Sequence, residues 1–213
     1  MSDLPASQPP KRGRARRVHA LVALRLLEAL RDQDLPAELL QDEDPSRTMP
    51  RRFGLSVVVY RQIRAFQRDA RMGARLTDEE VDVLFRFVIG WPDGRDVFKH
   101  VGRSLADARS FRGVHRILPT GLRFAMARSR VRKRLKHLFG RPIGGFAPGR
   151  FSIEGRSLLF VESDPSGEAC HLLVGFCQAL VERVTGEPVT VRQTLCQARG
   201  DALCRWEVTE PAN

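Results

Sequence analysis

The chain has 213 residues, a net charge of +11 and 42% hydrophobic residues, so it holds one large domain or two small ones with enough apolar material for a core. Four cysteines are too sparse for a secreted disulfide scaffold, and no apolar run reaches the roughly 20 residues that span a bilayer. The expectation is a soluble, cytoplasmic protein in which a metal or a free thiol outranks a disulfide.

Residues 1–17 carry Pro5, Pro9 and Pro10 beside Lys11, Arg12, Arg14, Arg16 and Arg17, and read as a disordered basic tail. A signal peptide's apolar stretch is missing, because Val18–Leu30 is interrupted by Arg25 and Glu28. From Val18 onward the pattern is one α+β domain, mainly helical over 18–139. His19–Gln33 repeats Leu21, Leu24, Leu27 and Leu30 at helical spacing. Leu35–Arg52 is a polar connector, and Leu55–Arg71 is helical through Leu55, Val58, Val59, Ile63 and Phe66. Thr77-Asp78-Glu79-Glu80 is a capping box opening a helix with Val81, Leu84, Phe85 and Val88 inward. Trp91-Pro92-Asp93-Gly94 breaks that helix. Asp96–Arg109 forms another, with Val97, Val101 and Leu105 on one side. Leu122–Phe139 is a basic helix whose buried edge is Phe124, Val131, Leu135 and Leu138.

No acidic residue stands between Asp107 and Glu154, a stretch holding Arg128, Arg130, Arg132, Lys133, Arg134 and Lys136 among others. Such asymmetry suits an anionic partner: nucleic acid, an acidic membrane surface, an acidic protein or a carboxylate ligand. An arginine-rich composition decorating its helices accounts for the same pattern. A helix-turn-helix around Leu84–Arg109 fits poorly, since its second helix carries Asp96 and Asp107.

Gly140–Gly149 holds four glycines and two prolines and reads as loop. Phe151–Glu154 and Leu158–Val161 read as strands, Asp164-Pro165-Ser166-Gly167 as a turn, and Cys170–Val184 as a helix capped by Gly186. A hairpin about Gly200 follows. Residues 150–209 therefore form a β-β-α-β-β unit: an antiparallel sheet under a helical layer.

Folding about Gly200 sets Cys196 opposite Cys204, with Cβ atoms about 4.5–5.5 Å apart, near enough for a shared metal or, after adjustment, a disulfide. Cys170 and Cys177 lie about 10.5 Å apart along one helix and cannot share a zinc. Cys170, at the helix start, is the candidate third ligand, and Cys177 is a core residue. Structural metal and unligated thiols both remain open on these grounds.

Cys170-His171-Leu172-Leu173-Val174-Gly175-Phe176 followed by Val189–Val208, with Ala198-Arg199-Gly200-Asp201-Ala202-Leu203-Cys204 inside it, resembles the C-terminal signature of the 4-vinyl reductase domain family. That resemblance implies a fold like the small TRAPP vesicle-tethering subunits and a pocket for a small hydrophobic or aromatic molecule. It also implies a structural zinc held by Cys170, Cys196 and Cys204. Gln193 stands where the family's sensor modules have a glutamate ligand, which leaves His171 or water as fourth ligand, or a weak or empty site. Trp91, Phe98, Phe111, Phe124 and Met126 are the expected ligand-binding residues, with His100, His115 and Trp91 as candidate polar fixers, against a background of ordinary core packing in which His115, amid Arg112 and Arg116, reads as a surface histidine.

No dinucleotide fingerprint, Ser-His-Asp set or paired carboxylates accompany these features, so the expectation is a binding protein in a sensing or carrier role rather than an enzyme. Its contact surface for a protein partner or a second copy is the basic helix Arg128–Lys136. The alternatives are a bacteriochlorophyll- or tetrapyrrole-pathway protein like the family's pigment-linked member, and a nucleic-acid-binding regulator acting through that helix, which is not favoured over the ligand-binding reading.

Overall fold

The computed structural model describes residues 15–33, 57–89, 91, 93–106, 119–141, 143, 145–146, 151–156, 158–159, 161 and 163–209. Two residues, Val18–His19 (β1), pair antiparallel with Arg75–Leu76 (β2), and the Arg17 N–H extends the ladder to the Leu76 carbonyl. Ala20–Gln33 (α1) follows at once. Its Val22, Ala23, Leu24, Leu26, Leu27 and Leu30 are all buried, because Val57–Arg71 (α2), Asp78–Ile89 (α3) and Gly94–Leu105 (α4) pack around it. The capping box forms as expected: the Thr77 N–H donates to Glu80 Oε2 at 2.7 Å and the Glu80 N–H to Thr77 Oγ1 at 3.1 Å. Thr120–Phe139 (α5) buries Phe124, Ala127, Val131, Leu135, Leu138 and Phe139, the edge read from its periodicity, and ends on Gly140 in the left-handed region.

His171–Thr185 (α6) is the central helix. Eleven of its fifteen residues are buried, leaving almost no polar face, as expected of a helix covered on several sides. It packs against α4, α5 and the sheet. The main sheet is antiparallel, in the order Gly145–Phe146 (β3), Ser152–Gly155 (β4), Cys204–Thr209 (β6), Thr190–Leu195 (β5). The fold is thus α+β, with helices against an antiparallel sheet and a β-β-α-β-β order at the C-terminal end.

The first two strands of that unit differ from the expectation. Leu158–Val161 is not a strand: the Val161 N–H donates to the Leu158 carbonyl at 3.1 Å, closing a turn that buries Leu158 and Leu159. Short apolar runs look alike as strand or buried turn, and Gly155 admits the Leu158 side chain against its Cα, where a Cβ would meet it at 3.1 Å. The partner of β4 is instead β3, inside the glycine-rich segment read as loop. Residues 1–14, Leu35–Arg52, Phe111 and His115 lie outside the described residues.

Candidate metal centre

The hairpin of β5 and β6 does not run in even register. Gln193 stands opposite Trp206, yet Leu195 stands opposite Arg205, so Thr194 is an extra residue. Continued without this bulge, the ladder would carry Leu195 to Cys204. The extra residue leaves Cys196 next in line with Cys204 instead, a re-aiming of the kind bulges perform beside functional sites. The turn beyond it is a 3-10 segment, Gln197–Arg199, ending on Gly200 at φ +98°. Asp201 closes it from inside, its Oδ2 accepting the Cys196 N–H at 2.6 Å.

Cys170 arrives from the opposite layer. The Asp164 carboxylate, 1% exposed, accepts the Gly167 N–H at 3.0 Å, the Ala169 N–H at 2.6 Å and the Ser166 hydroxyl at 2.7 Å. That wrapped turn delivers the chain to Cys170, immediately before α6. Trp206 Nε1, on β6, donates to the Cys170 carbonyl at 3.2 Å and ties the helix start to the sheet.

The result is a triangle of buried thiols. Cys170 Sγ lies 4.0 Å from Cys196 Sγ and 4.0 Å from Cys204 Sγ, and all three sulfurs lie within 4.8 Å of one another. A disulfide needs about 2.05 Å, so these are free thiols. Tetrahedral zinc with Zn–S near 2.3 Å sets its sulfurs about 3.8 Å apart. The triangle therefore has the size of one face of such a tetrahedron. Among the described residues, the His, Cys, Asp and Glu side chains whose ligand atoms converge here are these three cysteines; His171 is not one of them.

Gln193 faces the same spot. Its position opposite Trp206 sets it on the sheet face turned to α6, and its amide reaches the Cys170 sulfur. The amide nitrogen is buried and lacks a well-formed hydrogen bond. A half-turn of the amide about its last torsion exchanges nitrogen for the carbonyl oxygen, an acceptor that a cation would satisfy. The donor set present, three thiols and one adaptable amide, fits a thiophilic cation.

Protonation in the cluster is uneven. The Cys204 thiol is pulled down to about 6, first by the hydrogen bond with Cys170, then by the Gln197 N–H at 3.2 Å and by Cys196, against the opposing effect of burial. Cys170 is driven up, first by serving Cys204 as a hydrogen-bond donor and then by burial. Cys204 is thus the thiol of the triad most readily deprotonated, with Cys170 as its hydrogen-bond donor. Cys177, seven residues along α6, is pushed up to about 12 by burial alone and sits outside the triangle. His171 is lowered by burial and then by Arg95, Lys99 and Arg199, so it faces a cationic side rather than the thiols.

The residues expected to meet a ligand are dispersed over the helical half. Phe98 is fully buried on α4, its ring 5.3 Å from Phe85. Trp91, half-buried in the break between α3 and α4, has its ring 6.2 Å from Phe87. Phe124 is buried on α5, whereas half-buried Met126 is about 200° further round the helix. His100 is exposed. Sequence reading missed Gln193 as a buried orphan and Asp164 and Asp201 as the carboxylates that shape the site. Asp164-Pro165-Ser166-Gly167 and Gly200-Asp201 were the available signals, both being turns whose Asp binds local N–H groups.

Residues 151–210 match the family model of the 4-vinyl reductase domain. The matched span contains β4, α6, β5 and β6 with all three cysteines of the triangle. No curated protein and no solved structure matches the chain.

Proposed function

We propose that the 4-vinyl reductase domain of this chain binds a small hydrophobic or aromatic molecule in a sensing or carrier role, and that Cys170, Cys196 and Cys204 hold a structural zinc. The observation that carries the metal reading is the triangle of buried sulfurs, 4.0 Å along two of its edges, made from a helix start and a hairpin far apart in sequence. The metal would add what hydrogen bonds alone supply weakly, a covalent-strength tie between α6 and the β5–β6 turn. Gln193, through its amide oxygen, or a water, would complete the coordination.

Ligand binding is supported by the domain match and by the large apolar side chains on the helical side of α6. Trp91, Phe98, Phe124 and Met126 are the residues we assign to the pocket wall, with Phe111 from outside the described residues. The role proposed is recognition.

Native mass spectrometry of the purified full chain tests both parts. One zinc per chain is expected, together with added mass from a co-purifying or titrated aromatic molecule. A chain that takes up no zinc after reduction and reconstitution overturns the metal assignment. Failure of a panel of hydrophobic and aromatic compounds to shift either its mass or its melting temperature overturns the ligand-binding assignment.

A further inference from the structure

The thiol cluster and the apolar helices leave a basic groove beside the end of α5 unused. Arg16, Arg17, Arg75, Lys133, Lys136 and His137 line an open groove of about 510 Å³, with Gly140 at its edge. These residues come from three separate places: the approach to β1, the strand β2 and the last turns of α5. The backbone holds them together. Gly140 lies so close to Arg17 that a Cβ on it would stand 2.6 Å from the Arg17 carbonyl oxygen. Arg75 Nη1 donates to both the Arg17 and the His137 carbonyls, pinning the chain ahead of β1 to the end of α5.

Charge here is poorly balanced. Among the described residues one carboxylate comes within ion-pair distance of the lining cations, Glu80 at 3.9 Å from Arg16. Arg17, Lys133 and Lys136 are exposed and have no carboxylate partner among the described residues. The groove lies where two acid-free stretches meet: no Asp or Glu occurs from Leu4 to Leu27 or between Asp107 and Glu154. Its cations therefore continue in sequence on the N-terminal side into Lys11, Arg12 and Arg14. A small anion would need only the groove. Five fixed cations gathered from three separate segments match a repeating anion.

We propose that this groove is a docking surface for the phosphate backbone of nucleic acid, held by charge without sequence reading. Concentrating fixed cations in one concave place raises the local potential, and neutralising phosphates there releases condensed counterions. This surface is separate from the thiol cluster and stands or falls without it.

Fluorescence anisotropy of a labelled duplex of about 20 base pairs with the full chain, over a salt series, tests it. The five lining arginines and lysines, each meeting one phosphate, give a slope of log affinity against log salt near about −4.5. Lys133→Glu with Lys136→Glu is expected to weaken binding at least about tenfold and to flatten the slope by about 2. The control Arg192→Glu, exposed on β5, is expected to bind as the unaltered chain. Should the double variant fail to fold, Arg16→Glu with Arg17→Glu carries the same expectation. Duplex binding that ignores both double variants overturns the proposal. So does saturable binding of pyrophosphate or of phosphatidylserine vesicles by a chain that leaves the duplex free.

Discussion

Gly102 of α4 and Gly175 of α6 let their two helices touch backbone to backbone. A Cβ on Gly102 would overlap the Leu172 carbonyl and stand 2.7 Å from the Phe176 nitrogen; a Cβ on Gly175 would overlap the Lys99 carbonyl. Glycine weakens an isolated helix by about 1 kcal/mol, so its presence at both points is the cost of this close crossing. Gly102→Ala or Gly175→Ala must push α4 and α6 apart and open the core around Phe98 and Phe176. The expected loss is about 3 kcal/mol, typical of severe overpacking. Urea denaturation followed by circular dichroism checks it, and a variant within about 0.5 kcal/mol of the parent would show that the helices separate freely.

Asp164 is the polar counterpart of those glycines. Its buried carboxylate satisfies the N–H groups of Gly167 and Ala169 just before Cys170. Asp164→Ala leaves both without that partner, at an expected cost of about 2–4 kcal/mol. Gly167 in this turn has φ +76°, and a Cβ there would meet Cys196 Sγ at 2.7 Å. Gly167→Ala is therefore expected to disturb metal uptake as well as stability. Zinc stoichiometry after reconstitution separates the two effects, because Asp164→Ala alters the approach to the site while Gly167→Ala also displaces a sulfur.

Substitution at position 193 tests the fourth ligand directly. Gln193→Glu places a carboxylate beside the Cys170 sulfur. With zinc present the added negative donor is expected to tighten binding on the order of tenfold. Without zinc the same carboxylate is buried among the thiols with no cation to offset it, so the metal-free variant should melt lower than the parent. Competition with a chromogenic chelator reads the first effect and a thermal melt of the chelated protein the second. Cys196→Ala should abolish stoichiometric zinc, whereas Cys177→Ala should keep it, since Cys177 lies outside the triangle. Equal zinc affinity in parent and Gln193→Glu would remove residue 193 from the coordination sphere.

Local signals and long-range geometry divide what could be read in the sequence. Thr77 and Glu80, Gly186 after α6 and the apolar edge of α5 all act within a few residues, and each was legible. The two-residue ladder of Val18–His19 with Arg75–Leu76 has no local signature, because it depends on where a distant part of the chain returns. Gly145–Phe146 was hidden by surrounding glycines and prolines, and Leu158–Val161 was over-read because a short apolar run does not distinguish strand from turn. At the site, symmetry about Gly200 pointed to the pairing of Cys196 with Cys204, but the bulge at Thr194 that achieves it was invisible. Cys170 was a candidate from its place at the helix start, which set it apart from Cys177, and the family resemblance pointed to the same three thiols. The cations Arg16, Arg17, Lys133 and Lys136 stood out as basic stretches, but their convergence in one groove could not be read. It exists because Arg17 and Gly140 pack closely, a contact no sequence periodicity encodes.

Acid should destabilise this fold, and His19 gives the reason. Its ring is 8% exposed, stands 5.1 Å from His137, and accepts the Leu21 N–H through Nδ1 at 3.1 Å. Burial lowers its affinity for a proton, and His137, Arg75 and Arg134 lower it further. His137 is shifted the same way by burial, Arg134 and Arg75. In the unfolded chain both titrate near the ordinary 6.5. Between that value and their lower folded values the unfolded state binds more protons, so stability must fall as pH falls through this window. Protonation at Nδ1 would also cost the Leu21 hydrogen bond. The urea midpoint should therefore drop between about pH 7.5 and about pH 5.5, and His19→Asn, which keeps an acceptor near Leu21 but cannot take the proton, should show a smaller drop. A midpoint that stays level or rises on acidification would mean that the His19–His137 pair accepts its proton without strain, and that an unseen counter-charge reaches the groove.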